Sequence, residues 1–325
     1  MAGRPYNNTM TQLETLASNN DRCGECPIWD SQSQRLFWND MNASRVFAFD
    51  HTSQAVRALD NNGLNAAGMA FNESGELVFA GTGGLHLWRE SSIPPLPAGE
   101  GWGEGRGDGN HRTLLTHHDG EALNFNDILA DPQGRLYAGT WYWGAQEYEK
   151  LGKLYLIDTD SSITIQDEGI ELSNGLGLSP DEEVLYYADS AARKIYAYDV
   201  NASSGALSNR RVFVDVPTTE GMPDGLTVDT HGFVWSAQWY GSQIVCYDPD
   251  GKVERRIQIP ASQVTCMAFG GPDWNELYIT TAGEDWSTRY APPGYDSSKL
   301  HRGGELYRLK LDIQGKPEYK TKFAW

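Results

Sequence analysis

Long apolar runs are missing from this 325-residue chain. Without a stretch of about 18 apolar residues it has no candidate transmembrane helix. Cysteine is scarce: four residues are too few for a disulfide scaffold. Cys23 and Cys26 form a CGEC pair, but no second CxxC or His pair accompanies it, so small buried thiols are the expected reading rather than a redox or zinc half-site. Basic residues are outnumbered, 26 Lys and Arg against 44 Asp and Glu, and the formal net charge is −18. Clustered cations are what phosphate binding requires, so no nucleic acid and no anionic membrane are expected as partners. The N-terminus lacks the apolar core of a signal peptide, which makes a cytoplasmic address the default. Helical periodicity is absent too, as are G-x-S-x-G and H-E-x-x-H.

What the chain has instead is glycine (35) and aromatics (Trp 11, Tyr 16, Phe 10), the composition of many short strands joined by tight turns. A similar phrase recurs six times, opening at Glu25, Ala66, Asn126, Asn174, Asp224 and Val264. Each copy runs from an apolar strand through a turn to a second apolar strand and an aromatic-rich third. Glu73-Ser74-Gly75, Pro132-Gln133-Gly134 and Thr230-His231-Gly232 supply the turn chemistry. The repeat length of roughly 40–50 residues fits a four-stranded blade. These signals predict an all-β fold, a six-bladed β-propeller with four-stranded blades, closed by the N-terminal strand, which pairs with the last unit and removes the exposed edge. Residues 1–11 read as a flexible tail and 12–325 as one propeller domain. Within it, 91–110 is a Gly/Pro-rich surface loop insertion.

The innermost strand of a blade lines the central channel, so a polar residue at its start points into the channel mouth. Glu25, Asn126, Asn174 and Asp224 hold that position in units one, three, four and five. Carboxylate and amide oxygens suit a hard divalent cation. Asn-Gly and Asp-Gly pairs are also strong turn formers, so capping a turn is the alternative role for each residue taken singly.

The phrases CGECPIW, NFNDILADPQGRLYAGT, NGLGLSPDEEVLYYADS and PDGLTVDTHGFVWSAQW resemble the senescence marker protein/gluconolactonase/regucalcin family over nearly the whole chain. The resemblance implies a metal-dependent lactonase that opens a sugar lactone (an aldonolactone) to the sugar acid. Its metal ligands would be Glu25, Asn174 and Asp224, with Asp224 also the catalytic base. Asn126 and Asp127 would contact substrate or metal-bound water, Asn124 would be a further substrate contact, and Asp127 or water would protonate the departing alkoxide. The cofactor would be one divalent ion, calcium first, with zinc, magnesium, manganese or iron(II) as alternatives. The partner would be a small-molecule lactone, and the protein a monomer or weak homo-oligomer. Two departures fall at the expected pocket wall. Asn124 stands where the family often carries arginine, and Trp141-Tyr142-Trp143 follows Gly139-Thr140, either as a stacking wall for a sugar or as a packing cluster. Competing readings are a calcium-dependent esterase or organophosphate hydrolase of the same fold, and a non-catalytic calcium-binding propeller.

Overall fold

The computed structural model describes residues 13–90, 110–143, 148–285 and 287–324. The predicted tail, 1–11, and all but the last residue of the 91–110 insertion lie outside the described residues. Over the described residues the chain forms six antiparallel blades. The inner strands are Gly24–Asp30, Gly68–Asn72, Phe125–Ala130, Ser173–Leu178, Met222–Val228 and Val264–Gly270. Each packs against the inner strands of both neighbouring blades, so the ring closes on itself. The fold is a six-bladed β-propeller, with Glu14–Ala17 as the outermost strand of blade six, paired with Leu306–Lys310. The N-terminal strand thus joins the two ends of the ring as predicted.

Alternation drives the assembly. In the second strands of blades three, five and six every residue is buried on one blade face or the other, and successive side chains feed the two inter-blade cores. Trp29 of blade one stacks on Tyr278 of blade six at 5.6 Å, an aromatic seam across the closure. At the first turns of blades three and five an aspartate organises the chain. Asp131 accepts from the backbone N–H of Gln133 and Arg135, and Asp229 from those of His231 and Phe233.

The C-terminal segment runs beneath the channel, which the repeat pattern does not reveal. Gly315 bridges to Asp229 of blade five, and Lys322 N donates to Gly134 O of blade three. Lys320–Thr321 then adds a parallel strand to the inner edge of blade two. Buried Asn72 holds this end, its Oδ1 accepting from Thr321 Oγ1 and Phe323 N and its Nδ2 donating to Phe323 O. No helix of the described residues is long and apolar enough to cross a membrane.

Candidate metal and substrate site

Glu25, Asn126, Asn174 and Asp224 line one cavity at the upper end of the channel. The inner strands bring them there through a shared irregularity. Strand pairing slips between Glu25 and Ile28, Phe125 and Ile128, Ser173 and Leu176, and Pro223 and Leu226. The slip leaves Cys26-Pro27, Asn126-Asp127, Asn174-Gly175 and Asp224-Gly225 out of register. A bulge of this kind bends the strand and re-aims its side chains. In blade one, Pro27 has no N–H to give to a ladder, and Cys26 adopts φ +46°. Blade two pairs without interruption from Gly68 to Phe71 and contributes no polar group to the cavity.

Asn174 and Asp224 therefore sit inside strands, not on turns, and the glycines that follow them serve close approach. A Cβ on Gly175 would lie 2.2 Å from the backbone nitrogen of Leu226, and one on Gly225 would lie 2.4 Å from Cys266 Sγ. The turn-capping alternative raised by the Asn-Gly and Asp-Gly pairs does not describe these residues.

Two further aspartates, at the ends of second strands, hold the backbone entering the site. Asp40 accepts from Arg22 N (2.9 Å) and Cys23 N (3.1 Å), just before Glu25. Asp189 accepts from Glu171 N (3.1 Å) and Leu172 N (3.0 Å), just before Asn174. Asp189 lies in the quoted phrase NGLGLSPDEEVLYYADS and Asp40 at the matching place of the first repeat, in FWND.

The electrostatics are those of buried acids without a counter-ion. Glu25 is 6% and Asp224 3% exposed. Among the described residues lining the cavity there is no Lys, Arg or His. Burial pushes the Glu25 carboxyl well above the usual carboxylate range, and the charges of Asp224 and Asp127 push it further. Burial does the same to Asp224, reinforced by Asp127 and partly offset by the Asn174 amide and the Gly225 N–H. Two buried oxygens, Asn174 Oδ1 and Asp224 Oδ1, have no hydrogen-bond partner. Unpaired buried oxygens are rare because each carries a full desolvation penalty, and a hard cation would satisfy both. Among the described residues no three His, Cys, Asp or Glu side chains stand together as a metal site.

Asn126 donates from Nδ2 to Ser173 O at 2.8 Å. Asn124 is engaged elsewhere. Its Oδ1 accepts from Thr82 Oγ1 and its Nδ2 donates to Trp141 O, and it is not among the cavity's lining residues. Asp127 lines a second chamber, lower in the channel, whose walls include Cys26, Cys266 and Tyr319 of the C-terminal segment. Burial raises its carboxyl to about 7. The CGEC pair is divided between the chambers, Cys23 above and Cys26 below, both thiols free and pushed up by burial.

The apolar wall of the upper cavity comes from Met41, Leu172, Met222, Trp239, Tyr240 and Tyr290. Trp141 packs on Leu172 and Ala191 beside it. Tyr142 donates its hydroxyl to Ala122 O and lies under the Lys150 ammonium. Tyr290 belongs to the connection between the second and third strands of blade six. Arg193 of blade four donates to Tyr290 O, and Tyr240 of blade five donates to Ser287 O, so neighbouring blades hold this connection over the mouth.

Residues 23–283 match the family model described as SMP-30/Gluconolactonase/LRE-like region. Pentonolactonase XacC of Haloferax volcanii is 35% identical over 300 residues, 92% of this chain and 94% of that one. Among solved structures, a luciferin-regenerating enzyme superposes with a TM-score of 0.82 at 25% identity, covering 96% of this chain and 99% of that one. A calcium-binding regucalcin from Agrobacterium tumefaciens gives 0.79 at 22%, covering 96% and 97%, a likeness of fold alone.

Proposed function

The chain belongs to the SMP-30/gluconolactonase/LRE-like family, and from that premise we propose that it is a lactonase opening a sugar lactone to its sugar acid with a divalent cation held by Glu25, Asn174 and Asp224. The observation that carries the reading is the meeting of four oxygen-bearing side chains, from blades one, three, four and five, in one cavity. The name of the 35% identical relative, a pentonolactonase, supports a sugar lactone as the substrate class.

The donor set fits a hard ion: two carboxylates and an amide, two of whose oxygens are buried and unpartnered. Three protein ligands leave positions open for substrate and water. A bound divalent ion supplies Lewis-acid polarisation of the lactone carbonyl and lowers the pKa of nearby water.

The chain's own residues do the rest. Asp224 is the base: one carboxylate oxygen would hold the ion, and the other, with Asn174 and the Gly225 N–H against the carboxylate, would take a proton from attacking water. Asn126 is tethered through its amide nitrogen, so its oxygen accepts from a substrate hydroxyl. Trp239, Tyr240 and Tyr290 pack against the C–H face of the ring and exclude water. Asp127 lines the lower chamber, so solvent at the upper mouth protonates the departing alkoxide.

The test is a hydrolysis screen of five- and six-membered sugar lactones with protein stripped of metal and reloaded ion by ion, spontaneous ring opening subtracted. Cation-dependent turnover of at least one lactone, abolished in Asp224→Ala, is expected. Metal-independent turnover, or substantial activity in Asp224→Ala, overturns the assignment.

A further inference from the structure

Asn174 is the one neutral ligand in the proposed set, and an amide presents a ligand only if its oxygen faces the ion. A half-turn about χ2 exchanges the oxygen for an NH2 group that repels a cation. Asn174 is 6% exposed, and its Oδ1 is buried without a partner. Its nitrogen is engaged: Nδ2 donates to Ser190 Oγ at 3.0 Å. Ser190 is itself 1% exposed and lines the same cavity.

The serine is rigidly placed. Its N–H donates to Leu172 O at 3.0 Å, and its carbonyl accepts from Arg193 N at 3.0 Å. The preceding Asp189 accepts from Glu171 N, Leu172 N and Ala192 N. The chain entering the inner strand of blade four and the turn carrying Ser190 are thereby tied together. The Asn174 amide also lies beside the Asp224 carboxylate, while its Oδ1 has no hydrogen-bond partner.

We propose that Ser190 is a positioning residue that, by accepting from Asn174 Nδ2, locks the amide with its oxygen toward the cavity and so sets the cation affinity of the site. The inference rests on the cation reading given above. It concerns how the ligand is oriented and not whether a ligand exists. Partners that orient a ligand typically change metal affinity by 10–100-fold.

The experiment measures cation binding alone, by calorimetric titration of metal-stripped protein with Mn2+ and with Ca2+, no lactone present. Thermal unfolding of the metal-free forms confirms that each variant is folded. Ser190→Ala is expected to weaken binding by about 10–100-fold. The same change is then made in an Asn174→Asp background. A carboxylate accepts through both oxygens and has no face to be turned the wrong way, so the loss there is expected to shrink to within about threefold. Should Ser190→Ala fail to fold, Ser190→Cys, which fills the site with a weak acceptor, is measured instead with the same expected ordering. Equal losses in both backgrounds, or no loss in the native one, overturn the proposal while leaving the cation site standing. Absence of cation binding in the unmodified protein overturns the site and this inference together.

Discussion

Substituting Gly175 by alanine tests the close approach that brings Asn174 to Asp224. The added Cβ would meet Leu226 N at 2.2 Å, Gly225 C at 2.6 Å and Asp224 O at 2.8 Å, all of them backbone atoms. None can rotate away as a side chain would, so the inner strands of blades four and five must part. Restoring ordinary contact at roughly 3.5 Å requires about 1 Å of separation. Overpacking of this kind costs about 1–3 kcal/mol, and the upper end applies where only backbone can yield. A displacement of about 1 Å among reacting groups is worth about 100-fold in rate. Gly175→Ala is therefore expected to lose both stability, in denaturant titration, and about two orders of magnitude in kcat/KM. Gly177 on the same strand is the control. Its Cβ would meet the methyl ends of Leu226 and Val228 at 2.8 Å, which can shift, so Gly177→Ala should cost less stability and keep most activity. If Gly175→Ala matches the native protein in both assays, the strands are not packed as described and the geometry of the site is refuted.

Other consequences are equally direct. Asp21 is buried beside Trp38 and Asp40, and burial raises its carboxyl to about 7. The folded protein therefore holds a proton that the unfolded chain has released by about pH 4, so this contribution is full below pH 4 and is lost as pH rises through 7, at up to about 1.4 kcal/mol per unit. Asp21→Asn keeps an acceptor for Trp38 Nε1 (3.0 Å) and should flatten stability between pH 5 and 8; a profile parallel to the native one contradicts this. Asn72→Ala removes the buried anchor of the C-terminal segment, worth about 1–3 kcal/mol. Hydrogen exchange should speed up selectively over residues 315–324 while the blades stay protected, and uniform protection would show the anchor to be idle.

The propeller was legible because its signal repeats: six copies of one phrase, with turn residues at matching places, leave little else that the chain could form. The position of the four polar residues followed from that periodicity, since each opens an inner strand. What lay beyond it depended on tertiary contacts with no local signature. Asn126 and Asp127 are neighbours in sequence, and only the bulge after Phe125 sends one to the upper cavity and the other to the lower chamber. Asn124, read as a substrate contact in place of arginine, spends its amide on Thr82 and Trp141. Tyr290 comes from an irregular connection in blade six, with no strand pattern to place it over the mouth. The seat of the C-terminal segment beneath the channel depends on Asn72, about 250 residues earlier.

The central claim is that Glu25, Asn174 and Asp224 converge on one ion. A crystal grown from metal-stripped protein and soaked in Mn2+ tests it through anomalous scattering at the manganese edge. A single strong peak bounded by Glu25, Asn174 Oδ1 and Asp224 is predicted. A peak elsewhere in the channel, or an upper cavity with no anomalous signal at saturating Mn2+, would contradict it.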